Sequence, residues 1–151
     1  MAAPEPARSG IDKQKTTEET MSTRSSIAVQ QGNIVKTVYC HFDGYPDHVG
    51  RMLLNHYNNQ EGADSIVNLG DLSSLSQSVE KPEGHSYATP VEGYSIFYGR
   101  DRGEKNVAAL VVPDYATALK RNRQEYNYFW DGTQWTVDGK PLTMELIETD
   151  E

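Results

Sequence analysis

Several features that are common in other classes of protein are scarce in this chain of 151 residues. It has one cysteine, Cys40, which excludes an internal disulfide framework and fits a reducing compartment. No apolar run approaches the ~20 residues that a membrane-spanning helix needs. The first residues have no apolar segment typical of a secretory signal, so we expect none. These absences favour a cytoplasmic protein that does not bind membranes.

Apolar residues are also few, since 36% of the chain is hydrophobic and 24% is charged. This share is low for a globular protein, so either the core is small or part of the chain lies outside it. Residues 1–20 have almost no large apolar side chain and cannot offset their ordering entropy, so we interpret them as a flexible arm or leader. Met21 begins the sequence MSTRS, which fits a second translation start. The sequence leaves open whether the arm is native.

The net charge is −8, and residues 1–25 are neutral, so the body of the chain carries all of it. Phosphate backbones are bound through Lys and Arg, and an acidic body therefore argues against non-specific nucleic-acid binding. A basic cluster, Lys120, Arg121 and Arg123, ends a predicted helix. It either complements the helix dipole or forms a local basic patch.

Hydrophobic periodicity predicts alternating strands and helices. We expect strands over 26–31, 34–42, 94–98, 125–130 and 134–137, and helices over 46–57, 62–69 and 113–123. Gly32-Asn33 and Asp131-Gly132 are turn sequences, so the first two and the last two strands should each form a hairpin. The run 107–112 fits a strand or the approach to a helix, and residues 71–90 should form the longest loop.

This pattern predicts a single α+β domain over residues 21–143: an antiparallel sheet with two hairpins, and about three short helices packed on one face. Helix 46–57 should pack on the sheet through Val49, Leu53 and Tyr57, which recur at helical spacing. Residues 144–151 should form an acidic, frayed C-terminal tail. The oligomeric state stays open.

The most polar cluster runs from His41 to His48. His41 and Asp43 point the same way at the end of a predicted strand, and Asp47 and His48 come at the start of the next helix. Imidazole and carboxylate groups bind zinc, manganese or iron, and also serve as general base and orienting acid. No known metal motif has this spacing. The alternative is that the aspartates accept from backbone N–H groups and the histidines pair locally.

Two further segments carry polar side chains suited to binding. Asp71, in the sequence LGDLSSL, either belongs to a phosphate or metal loop or caps the next turn, and it lacks the Gly and Lys pattern of a P-loop. Charges alternate in sign at Arg100, Asp101, Arg102 and Glu104. These residues either form an arginine–carboxylate network that ties the loop to the sheet, or bind an anion or a partner.

His41 and Asp43 end one strand, and Arg100 and Asp101 follow another. If these strands are neighbours, the four side chains converge, and Asp71 can join them. The candidate catalytic residues are then His41, Asp43, Asp71 and Arg100, and the candidate metal ligands are His41, Asp43, Asp47 and His48. The candidate binding residues are Tyr45, Asp47, His48, Arg100, Asp101, Arg102 and Glu104. We expect no cofactor, and we favour a structural network with the outer surface used for partner binding.

The remaining chemistry-bearing residues have simpler interpretations. Cys40 should be a buried thiol rather than a nucleophile, and His56 and His85 are isolated and need no role. Aromatic residues at alternate positions, Tyr126, Tyr128 and Trp130, should pack within a hairpin, although an exposed aromatic face would be an interaction surface.

Several motifs occur in a fixed order along residues 21–137. They are MSTRS at 21–25, YCHFDGYP at 39–46, LGDLSSL at 69–75, FYGRDRGE at 97–104 and YNY at 126–128. In these motifs the chain resembles a family of small proteins of tailed bacteriophages and prophages, whose members often have Trp in place of Phe42. The resemblance implies a phage origin and the cytoplasm of a bacterial host. It brings no reaction, cofactor or catalytic residue.

Three functions remain open at this point. The first is a phage accessory protein that binds and modulates a host protein such as a defence, transcription or replication factor, which small size, acidity and the resemblance favour. The second is a small hydrolase that depends on a metal or acts on a phosphate-containing substrate. The third is a virion component whose N-terminal arm becomes ordered on assembly.

Overall fold

A computed structural model describes residues 22–149, so the arm expected over residues 1–20 lies outside the described part of the chain. The described residues form a single α+β domain around one eight-stranded sheet, which confirms the predicted fold class. No helix among residues 22–149 has the length and apolar character to cross a bilayer.

The strands are β1 (Ser25–Gln31), β2 (Ile34–Cys40), β3 (Leu72–Ser74), β4 (Ile96–Phe97), β5 (Leu110–Val112), β6 (Tyr126–Trp130), β7 (Trp135–Val137) and β8 (Lys140–Pro141). Their order is β4-β3-β2-β1-β6-β7-β8, with β5 also paired to β2. Both predicted hairpins, β1–β2 and β6–β7, are present. Two pairs are parallel, β1 with β6 and β2 with β3, so the sheet is mixed.

The helical segments are α1 (Pro46–Gly50, a π-helical turn), α2 (Arg51–His56), α3 (Gln60–Val67), α4 (Tyr98–Arg102), α5 (Tyr115–Asn122) and α6 (Met144–Thr149). Side-chain caps explain where two of them begin. Asn59 accepts from the Gly62 N–H before α3, and Asp114 accepts from the Thr117 N–H before α5. The predicted helix 46–57 is therefore present as α1 followed by α2.

The main core lies between one face of the sheet and helices α1, α2, α3 and α6. Val49, Leu53 and Tyr57 are buried in it, as their helical spacing predicts. The indole rings of Trp130 and Trp135, opposite each other on β6 and β7, meet edge to face at 5.6 Å. Packing within the hairpin is therefore confirmed for these aromatic residues.

Helix α5 covers part of the opposite sheet face, which corrects the expectation that helices pack on one face only. Ala28 and Val35 form a second buried cluster with Ala118 of α5. The Tyr115 ring stacks on Phe129 with centroids 3.9 Å apart. Because β1 and β2 are the central strands and carry apolar residues on both faces, both faces are covered.

Two local elements differ from the sequence expectation. The strand expected over 94–98 is reduced to β4, and Tyr98, the last residue of the expected strand, begins the helical turn α4. The Asp101 carboxylate accepts from the Phe97 N–H at 2.8 Å, which holds this turn closed. The expected loop over 71–90 contains strand β3, which pairs with β2 and β4.

The tail expected over residues 144–151 is a helix over the part that is described. Helix α6 buries Ile147 completely in the main core, beside Leu142. Leu146 is partly buried against the same core, and the burial of these apolar side chains stabilises the helix against fraying. The expectation of a frayed end is wrong for residues 144–149.

Candidate functional site

The sheet face opposite the main core is covered by α5 only in part. The uncovered part carries several of the residues that were predicted from the sequence. In β2, Val38 and Cys40 point into the main core, so Tyr39 and His41 point to the other face. In the neighbouring strands Leu72 and Phe97 point into the core, so Asp71 and Tyr98 also lie on the other face. All four are partly exposed. We call this surface, together with the adjoining Tyr87 and Arg102, the tyrosine face.

Tyr39 lies at the centre of the tyrosine face and connects two of the candidate catalytic residues. Its hydroxyl and His41 Nδ1 are hydrogen-bonded at 2.6 Å, and its backbone N–H donates to Asp71 Oδ1 at 2.9 Å. Burial raises the pKa of the Tyr39 phenol, Arg24 opposes this rise, and Asp71 adds to it. The structure therefore brings His41 and Asp71 to one tyrosine, at opposite ends of that residue.

Gly70 places Asp71 on this face. It has a φ of +89°, and a Cβ there would lie 2.5 Å from the Val107 carbonyl oxygen, so only glycine fits without a shift. The Asp71 N–H donates to that same carbonyl at 2.8 Å. Burial raises the pKa of the Asp71 carboxyl, the Tyr39 N–H opposes this, and Glu104 adds to the rise.

Arg102 lies between two tyrosine rings at the edge of the tyrosine face. Its guanidinium carbon is 4.4 Å from the Tyr87 ring centroid and 4.6 Å from that of Tyr98. The guanidinium also forms a salt bridge with Glu104. The hydrogen bond in this pair raises the pKa of Arg102 above its ordinary value. Tyr87 remains 37% exposed. This arrangement is a preformed surface of aromatic rings and one arginine.

Arg100 and Asp101 form the internal network that was one of the two sequence interpretations. Arg100 Nε donates to Asp101 Oδ1 at 2.8 Å, and the guanidinium also donates to the carbonyls of Val79 and Ser95. The Asp101 side chain is completely buried. Burial opposes its ionisation, but the bonds from Arg100 and the Phe97 N–H outweigh this and lower the pKa of Asp101. These two candidate residues therefore hold the long loop after β3 against α4.

His85 is a buried histidine for which no role was expected from the sequence. It is 2% exposed, and its Nε2 lies 3.5 Å from Asp101 Oδ2. The Val91 N–H donates to Nδ1 at 2.9 Å, so the ring proton is on Nε2, which donates to the Ser95 carbonyl at 3.1 Å. Both ring nitrogens have partners within the fold, and His85 thus fixes the loop rather than serving as a base.

The candidate residues around the turn after β2 have separate partners. Asp47 forms a salt bridge with Arg51 at 2.5 Å, and His48 Nε2 is 2.8 Å from the Leu75 carbonyl oxygen. The Tyr45 hydroxyl is 3.4 Å from Asp43 Oδ1. Asp43 has a φ of +57°, an unusual conformation for an aspartate. It leads into Gly44, whose N–H donates to the Thr23 carbonyl at 2.8 Å.

The expected convergence of His41 and Asp43 with Arg100 and Asp101 does not occur. Strand β3 separates β2 from β4, so the condition that the two strands are neighbours is not met. Because β3 is parallel to β2 and antiparallel to β4, the segments that follow β2 and β4 leave the sheet at opposite ends. Across residues 22–149 there is no group of three or more His, Cys, Asp or Glu placed to hold a metal ion.

An open groove of about 700 Å³ lies elsewhere, between α6 and the β7–β8 hairpin. Its lining includes Tyr126, Asp138, Lys140 and Glu145, with charges of both signs. None of the candidate site residues lines it. The charges that line the groove therefore do not favour one class of ligand over another.

The three tyrosines of the tyrosine face were not among the candidate residues predicted from the sequence. Tyr39 had a signal, because strand alternation already placed it opposite Cys40 on β2. Tyr87 and Tyr98 had none, since one lies in the long loop and the other begins a helical turn expected to be strand. Comparison with protein-family models, with curated proteins and with solved structures found no match to this chain.

Proposed function

We propose that this chain is a phage accessory protein that binds and modulates a host protein, and that the tyrosine face is its binding surface. The phage and host parts of the proposal rest on the sequence resemblance. The observation that supports a binding role is the stack of Arg102 between Tyr87 and Tyr98 on a sheet face that α5 leaves partly open.

Tyrosine and arginine are enriched among the residues that contribute most to protein–protein binding, because they combine apolar area with hydrogen-bonding groups. In the tyrosine face these side chains are held in place before any partner arrives. Tyr98 begins α4, and the Tyr87 N–H donates to the Asp101 carbonyl of the same turn at 2.9 Å. Such preorganisation lowers the entropy lost on binding.

A differential capture experiment tests the proposal. The full chain is immobilised, exposed to lysate of a bacterial host, and the retained proteins are quantified by mass spectrometry. We expect a host protein that is retained by the wild type and lost by the double variant Tyr87→Ala and Tyr98→Ala.

The control is Met144→Ala, because Met144 has nearly the same exposure as Tyr87, 36%, but lies on α6 and outside the tyrosine face. This variant should retain the host protein. Equal loss in the control, or equal retention in the double variant, would contradict the assignment of the surface. Circular dichroism establishes that each variant is folded.

A further inference from the structure

Asp71 is a half-buried carboxylate that no cation of the described chain neutralises. The other carboxylates of this region each have an arginine: Asp101 pairs with Arg100, and Glu104 pairs with Arg102. Asp71 instead accepts one hydrogen bond, from the Tyr39 N–H at 2.9 Å. Among residues 22–149, no Lys, Arg or His nitrogen lies within 4.0 Å of its carboxylate.

Two tyrosines contact Asp71 through their backbone N–H groups. Tyr39 reaches Asp71 through its N–H, and the Tyr98 N–H donates to the Asp71 carbonyl at 3.1 Å. Strand alternation places the Tyr39 side chain on the same sheet face as Asp71. The Tyr98 hydroxyl is hydrogen-bonded to Ser73 and acts on the Tyr39 phenol, which places it on that face as well. A carboxylate beside aromatic rings suits a planar cation, which pairs with the oxygen atoms and stacks on the ring faces.

The chain itself shows that this surface accepts a guanidinium. Arg102 already stacks on Tyr98, with its guanidinium carbon 4.6 Å from the ring centroid, while pairing with Glu104. Asp71 and Tyr39 offer the same two kinds of group, a carboxylate and a tyrosine ring. Arg24 acts electrostatically on the Tyr39 phenol, but among residues 22–149 no arginine pairs with the Asp71 carboxylate. The net charge of −8 favours the approach of a basic partner and opposes that of a phosphate.

We propose that Asp71, Tyr39 and Tyr98 form a recognition site for an arginine side chain of a basic partner protein. This inference rests on the proposed binding function and specifies the chemistry of the partner. Arginine fits better than lysine because its flat guanidinium stacks on a ring and pairs with a carboxylate at the same time. The partner's arginine would also compensate the cost of burying Asp71.

The probe is a heptapeptide with two arginines in a Gly/Ser background, and its counterpart in which both arginines are citrulline, which has nearly the same shape but no charge. Each peptide is titrated into the ¹⁵N-labelled full chain, and the backbone amide signals are followed by NMR. We expect the arginine peptide to shift the amide signal of Tyr39, whose N–H bonds to Asp71. The citrulline peptide should not.

The variant Asp71→Asn keeps the oxygen that accepts from the Tyr39 N–H but removes the charge. We expect it to weaken binding of the arginine peptide by about tenfold, the loss that follows from removing one charge-assisted bond. The control Glu148→Gln removes one charge from an exposed position on α6 and should leave the affinity within about twofold. A second variant, Tyr98→Leu, removes a ring while keeping apolar volume, and should also weaken binding.

Three results would overturn the inference: equal binding of the citrulline peptide, unchanged affinity of Asp71→Asn, or equal losses in Asp71→Asn and Glu148→Gln. The last result would show general attraction to an acidic chain. A different result would contradict the proposed function, because that proposal depends on retention of a host protein by the Tyr87 and Tyr98 rings. If that retention survives in Asp71→Asn and needs the two tyrosines, the binding function stands and the arginine site does not.

Discussion

Asp101 shows how a single buried charge organises a segment without regular structure. Its carboxylate accepts from Arg100 and from the Phe97 N–H, and it lies near His85. Removing one partner of a buried pair leaves the other charge uncompensated, which costs more than the pair contributes when intact. The polar sequence between Arg100 and Glu104 is therefore explained chiefly by folding.

At this scale we expect Asp101→Asn to lower the free energy of unfolding by about 3 kcal/mol, because it removes the countercharge of a largely buried Arg100. Urea denaturation followed by circular dichroism measures this change. The control is Glu104→Gln, which breaks the exposed pair with Arg102 and should cost less than about 1 kcal/mol. Equal effects of the two variants would contradict the buried network.

The ionisation of Asp101 should also make the stability of the chain depend on pH. The pKa of Asp101 is lower in the folded chain than its ordinary value of 3.8. The ionised carboxylate therefore contributes stability that is fully present above about pH 4 and is lost as the pH falls through the folded pKa. Melting temperatures measured from pH 6 to pH 2 should fall more steeply for the wild type than for Asp101→Asn. Parallel curves would rule out this contribution.

At the scale of elements, α6 shows how apolar burial makes a helix of a segment that was expected to be a tail. The segment is acidic and only six residues long, and a helix of this length is unstable alone. Ile147 is completely buried in the main core, which supplies the missing stabilisation. This short segment forms a helix because it packs against α1 and α2.

We expect Ile147→Ala to destabilise the chain by about 2–4 kcal/mol, because it leaves a cavity in the core. Met144→Ala, at a position 36% exposed at the start of the same helix, should cost less than about 1 kcal/mol. Thermal unfolding of both variants provides the measurement. If the two differ from the wild type equally little, α6 does not pack as described.

At the scale of the whole molecule, the described residues 22–149 supply two hydrophobic clusters. Both hydrophobic clusters consist of residues between Ile27 and Ile147. Residues 1–20 hold almost no large apolar side chain. Their contribution to the free energy of folding should be small, since burial of apolar surface is the dominant favourable term.

Deleting residues 1–20 should therefore change the melting temperature by less than about 2 °C, which corresponds to well under 1 kcal/mol in a domain of this size. Differential scanning calorimetry of the full chain and of the chain beginning at Met21 makes the comparison. A decrease of many degrees would show that the arm packs on the domain.

The fold class and most elements could be predicted from the sequence, because they depend on local signals. The two hairpins follow from turn residues at Gly32-Asn33 and Asp131-Gly132, and α5 begins where Asp114 supplies a cap. The buried stripe of Val49, Leu53 and Tyr57 follows from helical spacing.

Which polar residues lie close together could not be predicted, because it depends on contacts between distant parts of the chain. Strand order is set by contacts between residues far apart in the chain, so the insertion of β3 between β2 and β4 has no local signal. That insertion separates His41 and Asp43 from Arg100 and Asp101, and it brings Asp71 between Tyr39 and Tyr98 instead. Every residue of the candidate site can be read in the sequence, but only the pairing of strands that are distant in the chain brings these residues together.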